Sequence, residues 1–506
     1  MTIRNIYILF FAALPPAALA VDVSARDAVI SAVSVSGNAS IPDSEVVETA
    51  DLKPGAGWTP EIAGLSREII ASLYHSRGFM GARISITELQ SGTSVQLSIE
   101  IEEGTRYSFG VTSISGLEKL SPKTVKKELA YREGDSYGQE KLITSQSRLY
   151  ATDWFESLRT RISSSASSNA IDVELETTEK PLKWIKGGVG YGSEEKERLS
   201  LGFTHNNFLG RGYKLELNGM LSRIWLEYKA DFTNRHFLDT RTELRGSNSW
   251  RQERRSGYDM ESIKNTLSLG RKLAADIYGS VQYRLQRNLI YNVVPDLSGE
   301  APPLSNIRSG GLSFNRDTTD DFFYPSKGLR SELSLERAGG VWGGNINLYK
   351  ASLKNNLYRR LLPGLTGLVS VRGAFAQETG RTPYVPIYER LFTGGANSVR
   401  GYAERGVGPA DAGGNPLGGK VLLGASAELR FPVYKKLRAA LFADGGQVAD
   451  SLAGAAPRRW KYGAGAGLRY RTPVGPIRAD FGCKLNPDKP AGRELWRLHL
   501  SIGEAF

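Results

Sequence analysis

The chain has 506 residues with 65 Lys+Arg against 53 Asp+Glu and 40% hydrophobic residues, so several domains are expected on length. Its single cysteine, Cys483, excludes an intramolecular disulfide scaffold, and four His with no HExxH, CxxC or nucleophile-elbow motif point to no enzyme, no metal and no cofactor. The charge is split. Residues 21–180 hold 16 Lys+Arg and 23 Asp+Glu, and residues 181–506 hold 48 and 30. That basic surplus suits a solvated lumen and loops, or attraction to anionic lipopolysaccharide or an acidic client, but no nucleic-acid reader motif accompanies it.

At the N-terminus Arg4, the apolar run Ile6 to Leu14 and Ala18-Leu19-Ala20 predict a signal peptide over residues 1–20. Pro15 and Pro16 interrupt a stretch too short to span a bilayer. An internal repeat follows at an offset of 79 or 80 residues: Gly37 recurs as Gly116, Pro42 as Pro122, Gly55 as Gly134 and Trp58 as Tyr137. Each copy reads as strand, turn, short helix, longer helix and two strands, which divides the region into domains 21–104 and 105–180. Thr59 as N-cap and Pro60 behind it open the first long helix; Ile62, Leu65, Ile69 and Leu73 predict its buried stripe, and Gly78 ends it. Val95, Leu97, Ile99 and Ile101, and in the second copy Ile171, Val173 and Leu175, alternate as half-buried strands. A small sheet with two helices on one face leaves one edge open. Such an edge is either a docking site for extended chains or part of a rigid spacer.

From Trp184 the pattern becomes alternation punctuated by Gly, Asn, Asp and Pro. Leu226, Tyr228, Ala230 and Phe232 alternate with Glu227, Lys229 and Asp231, and Val281, Tyr283 and Leu285 with Gln282, Arg284 and Gln286. The last strand sets Leu498, Leu500, Ile502 and Phe506 against His499, Ser501, Gly503 and Ala505. A chain that enters a membrane without apolar helices must close a sheet on itself. The fold class is therefore mostly β: a transmembrane antiparallel β-barrel over residues 181–506, of about 16 strands, behind two small α+β domains. Gly463-Ala464-Gly465-Ala466-Gly467 fits a barrel strand better than a nucleotide cradle.

The segment Leu391-Phe392-Thr393-Gly394-Gly395-Ala396-Asn397-Ser398-Val399-Arg400-Gly401-Tyr402 resembles the loop-six signature, V-R-G-F/Y, of the bacterial outer-membrane assembly superfamily that includes BamA, TamA and the two-partner secretion transporters. The repeats resemble that family's POTRA domains, and the barrel its bacterial surface antigen domain. Asn207-Phe208-Leu209-Gly210-Arg211-Gly212, Arg316-Asp317 with Tyr324-Pro325-Ser326-Lys327-Gly328, Phe442-Ala443-Asp444-Gly445-Gly446, and Thr472-Pro473-Val474-Gly475-Pro476 match as well. Within the family, Ser398 to Tyr402 and Gly408-Pro409 look closer to TamA than to BamA. Room for only two POTRA domains departs from both. Two-partner secretion transporters carry that number, but Val21 to Ala32 leaves no space for their plug helix.

The resemblance implies that Val399, Arg400, Gly401 and Tyr402 fold into the lumen, with Arg400 on Glu428 and Asp444. By period Glu428 points inward, and a buried Arg needs such partners; a purely structural filling role stays compatible. It also implies a lateral seam between the first strand, with Gly187, Gly188, Gly190 and Gly192, and the last, with Gly503 and Phe506. The glycines either weaken that seam or permit a tight bend. The function implied is a periplasm-facing, outer-membrane factor that inserts or secretes client β-barrel or autotransporter-type proteins. Its partners would be unfolded client proteins, outer-membrane lipid and, for a TamA-like member, a TamB-like inner-membrane protein. The alternatives are a two-partner secretion transporter and a passive pore or receptor.

Overall fold

The computed structural model describes residues 28–164, 169–295, 299–322, 324–472, 475–487 and 494–502. The expected signal peptide, and Gly503 and Phe506 of the expected seam, lie outside the described residues.

The first repeat runs β1 (Ala28–Ser36), α1 (Asp43–Thr49), β2 (Gly57–Trp58), α2 (Pro60–Ser76), β3 (Arg83–Ser91) and β4 (Ser94–Glu102). The second runs β5 (Ser108–Ser115), α3 (Pro122–Lys126), α4 (Gln139–Ala151), β6 (Phe155–Ser164) and β7 (Ala170–Glu179). The sheets are ordered β2-β1-β4-β3 and β5-β7-β6, with β1 parallel to β4 and β5 parallel to β7. Val95, Leu97, Ile99 and Ile101 of β4 are all buried against α1 and α2. Each such side chain contributes about 1.5–3 kcal/mol on burial. The equivalent glycines do equivalent work. Gly37 and Gly116 adopt φ of 79° and 78°, and a Cβ there would lie 2.1 Å from the Ile101 carbonyl oxygen and 2.0 Å from that of Thr177.

Helix α2 starts on Thr59, whose hydroxyl accepts from the Ile62 N–H, with Pro60 in its first turn. Its buried stripe is Ala63, Ser66, Ile70 and Tyr74, however, not the expected Ile62, Leu65, Ile69 and Leu73. Leu65 is 58% exposed, while Ile62, Ile69 and Leu73 flank the core. The helix is rotated about one residue from the apolar optimum because the large Tyr74 ring packs edge-on to Phe79 and claims the central position.

The remaining strands close a barrel of sixteen, β8 to β23. They are β8 (Lys183–Gly192), β9 (Lys196–Phe208), β10 (Tyr213–Ser222), β11 (Trp225–Phe237), β12 (Thr242–Arg254) and β13 (Asp259–Lys272). Next come β14 (Ile277–Tyr291), β15 (Leu304–Asp317), β16 (Gly328–Ala338), β17 (Leu348–Leu362) and β18 (Leu365–Glu378). The last five are β19 (Val421–Tyr434), β20 (Leu437–Ala449), β21 (Lys461–Thr472), β22 (Gly475–Lys484) and β23 (Trp496–Ile502). Each strand pairs antiparallel with its chain neighbours. Among the described residues no helix is long and apolar enough to cross a membrane; the barrel crosses with strands. Tyr228, Val281, Leu285, Leu353 and Leu441 point outward and are exposed, while Glu227, Lys229, Gln282 and Arg284 line an internal cavity of about 1600 Å³.

Candidate functional site

The connection between β18 and β19, residues 379–420, folds back into the lumen and is held there along its length. It is called loop six below. At its centre, the Arg400 guanidinium donates from Nε and Nη2 to the two oxygens of Asp444, at 2.7 and 2.8 Å, and from Nη1 to Glu428 at 2.8 Å. The Arg400 N–H also donates to Asp444, at 3.0 Å. Asp480 lies 3.7 Å from Nη1, and the guanidinium plane covers the Phe442 ring at 3.4 Å. Arg400, Glu428, Asp444 and Asp480 are 5%, 6%, 3% and 0% exposed. Unpaired charges at that depth would cost several kcal/mol each; here Asp444 and Glu428 each accept from more than one donor, and Asp480 faces the cations of Arg469 and Arg478. Arg430 binds Glu428 at 2.8 Å, Arg469 and Arg478 bind Asp480 at 2.5 and 2.6 Å, and the Ser426 hydroxyl donates to Asp444. Period places these groups inward from neighbouring strands, Glu428 on β19, Asp444 on β20 and Asp480 on β22.

Loop six can approach the wall this closely because the wall is bare. A Cβ on Gly463 of β21 would sit 2.0 Å from the Arg400 carbonyl oxygen, and one on Gly482 of β22 would sit 2.6 Å from the Gly401 nitrogen. Gly401 itself has φ of 96°. Beside it, Val399 and Tyr402 are buried together with Val407, and the Tyr402 hydroxyl donates to the Asn486 carbonyl at 3.2 Å. The loop tip is clamped through its backbone, with Arg372 of β18 donating to the Asn397 carbonyl at 2.8 Å and Arg478 to that of Ala396.

A second anchor lies where the loop enters. Glu389 is 3% exposed and receives Lys350 of β17 at 2.7 Å and Arg284 of β14 at 3.1 Å. Burial alone would push its carboxyl up, but Lys350 and Arg284 outweigh burial and hold it down at about 2. Arg390, next along, donates to Glu300 at 2.6 Å. Ile387 packs with Tyr258, Met260 and Ile290 in an apolar cluster beside this anchor.

The barrel closes between β23 and β8. Their described register is Ser501 opposite Gly192 and Ile502 opposite Tyr191, and Ser193 adds an N–H bond to the Leu500 carbonyl at 3.1 Å. Of the β8 glycines, Gly187 and Gly188 line the internal cavity, as does Gly190. The structure thus brings Val399, Arg400, Gly401, Tyr402, Glu428 and Asp444 into one cluster and sets Gly192 on the closing register. The sequence reading missed Asp480, Glu389 and the seat formed by Gly463 and Gly482. Inward alternation on β22 is a signal for Asp480; a loop residue such as Glu389 carries none.

Sixteen antiparallel strands with an apolar outer face, a charged interior and a loop pinned inside it define a transmembrane barrel of the outer-membrane kind. The chain belongs to the Omp85 superfamily: the Omp85 superfamily domain matches residues 207–506, and the POTRA surface antigen repeat matches residues 28–104 and 107–180. The outer membrane protein assembly factor BamA of Nitratidesulfovibrio vulgaris is 25% identical over 455 residues, 87% of this chain and 56% of that protein. BamA of Neisseria meningitidis is 22% identical over 534 residues, 94% of this chain and 66% of that protein. The chain therefore spans less than two thirds of these relatives. The crystal structure of BamA from Haemophilus ducreyi lacking POTRA domains 1-3 has a TM-score of 0.68 at 20% identity, covering 94% of this chain and 99% of that one. CdiB from Acinetobacter baumannii has a TM-score of 0.59 at 15% identity, covering 94% and 89%. The family is non-enzymatic and resides in the outer membrane with its POTRA repeats in the periplasm. Both of these relatives are BamA proteins, and the expected nearer likeness to TamA stays a reading of residues 398–402 and 408–409.

Proposed function

We propose that the chain is an outer-membrane assembly factor that receives unfolded β-barrel or autotransporter-type clients and passes their strands into the membrane through the β8–β23 seam. In this reading residues 21–104 and 105–180 are the docking domains and residues 181–506 the barrel. The observation that carries it is the closure itself, where a first strand with four glycines meets the last strand beside a loop held by buried ion pairs. Glycine weakens strand pairing, so this is where the wall opens at least cost. The outer edges of the repeat sheets, β3 and β6, offer backbone groups that pair with extended chains largely regardless of sequence. No nucleotide is needed, because client strands gain main-chain pairing and lose exposed apolar surface as they enter lipid. The basic barrel suits anionic lipopolysaccharide around it, and a TamB-like partner belongs to the TamA-like form of the same reading.

The test is Gly192→Cys with Ser501→Cys in a Cys483→Ser background, since these two positions face each other across the seam. Oxidation is expected to cut client assembly at least about tenfold, with recovery on reduction. Full activity of the cross-linked protein would reject the seam as the route.

A further inference from the structure

The wall at the seam is staggered. Residues Trp496–Ile502 of β23 pair along their whole length with β22, yet β8 ends at Gly192, opposite Ser501. Among the described residues, no strand pairs with the β8-facing flank of β23 between Trp496 and His499. That notch spans about four residues, or about 13 Å at the usual rise of a strand. On its lumen side lies loop six. The Gly401 N–H donates to His499 Nε2 at 3.2 Å, and His499 is 1% exposed. Three residues on, the Glu404 N–H donates to a carboxylate oxygen of Glu194 at 3.0 Å, in the tight turn joining β8 to β9. Between Arg400 and Glu404 the loop therefore leaves its ion pairs on β19 and β20, lies over Gly463 and Gly482, touches the last strand and grips the first hairpin.

We propose that residues 401–404 are a strap across the seam: His499 and Glu194 are its two positioning residues, and withdrawal of loop six is what frees β8 from β23. The proposal deepens the reading of this seam as the client route and rests on it for its consequence. The bonds are main-chain donors on side-chain acceptors, so the strap depends on His499 and Glu194 keeping acceptors and not on loop side chains. Both acceptors lie on opposite sides of the one junction that the sixteen-strand ladder closes last in sequence. Arg400 fixes one end of the strap through its bonds to Asp444 and Glu428.

Hydrogen–deuterium exchange of the full-length protein in lipid nanodiscs tests this without a client. Glu194→Ala and His499→Phe each remove an acceptor; Glu194→Gln keeps one. Exchange in segments 187–193 and 496–502 is expected to quicken about tenfold in the first two and to stay at the wild-type rate in Glu194→Gln, with β14 to β17 unchanged. If seam exchange stays at the wild-type rate while residues 401–404 exchange faster, the loop merely rests on the wall and the strap is wrong. Should His499→Phe fail to fold, judged by loss of its heat-shifted gel mobility, Glu194→Ala decides alone, because Glu194 lies in a surface turn. A strap that behaves as stated, in a protein whose cross-linked seam still assembles clients, would reject the client route and leave the strap standing.

Discussion

Arg400 is the residue on which the interior is organised. A planar guanidinium serves Asp444 with two donors and Glu428 with a third, a geometry that an ammonium cannot reproduce. Arg400→Ala leaves two buried carboxylates short of a cation, and removing one partner of such a network costs about 3–5 kcal/mol. The expected outcome is a loop six cut by added protease at residues 390–410, with client assembly falling in parallel. Arg400→Lys should restore charge but not the bridge, and so recover protease resistance only in part; a fully resistant Arg400→Ala would show that the other contacts suffice. Alternation alone turned Glu428 inward, and the family motif joined it to Arg400 and Asp444. Asp480 escaped the reading although it shares the inward face of β22 with Arg478, because its second partner, Arg469, reaches it only through the pairing of β21 with β22.

At the scale of the element, loop six is a tethered chain with an anchor at each end of its lumenal course, Glu389 at the entry and Arg400 at the centre. They respond differently to acid. The depressed Glu389 carboxyl contributes stability that is present above the ordinary carboxylate range and lost only as pH falls toward about 2. It is therefore constant between mildly acid and mildly basic conditions. Glu404 keeps part of its surface open, yet desolvation by its neighbours, reinforced by the Glu194 charge, pushes its carboxyl up to about 7. Glu195 adds to the push, while Arg405 and Arg255 oppose it and Arg372 of β18 lies within range. A raised carboxyl favours the folded loop while protonated, a contribution lost as pH rises through that value. Protease protection of loop six should thus decline from pH 5.5 to pH 8, and Glu404→Gln should flatten the profile; an unchanged slope in that variant would remove Glu404 as its source. None of this was legible beforehand, since a loop carries no period to say which carboxylate its neighbours will desolvate or pair.

For the whole molecule, the alternation of β11, β14 and β19 was enough to read a closed barrel and a polar lumen, because strand period maps directly onto inside and outside. The strand number followed from length. Helix α2 was harder: its apolar residues define a stripe, but the volume of Tyr74 sets which stripe faces the sheet. The same scale holds the test of the docking domains. Along the β3 edge, neighbouring residues point their N–H groups alternately toward β4 and outward. Of Thr87→Pro and Glu88→Pro, the one replacing an outward N–H should leave the repeat folded while lowering capture of unfolded clients about tenfold. Undiminished capture by both would assign the repeats to spacing rather than docking.

The overshoot of β23 past the end of β8 has one more consequence, borrowed from the logic of strand displacement. Most sheets offer a newcomer nothing until an existing ladder bond is broken. On the proposed route, once the lumen side is cleared, Trp496 to His499 would provide a toehold: a flank with no partner strand among the described residues, from which an invading strand could advance past Leu500 and Ser501 one rung at a time. Each rung lost to β8 would then be replaced by a rung to the incomer, so that such an exchange need never pass through an open barrel.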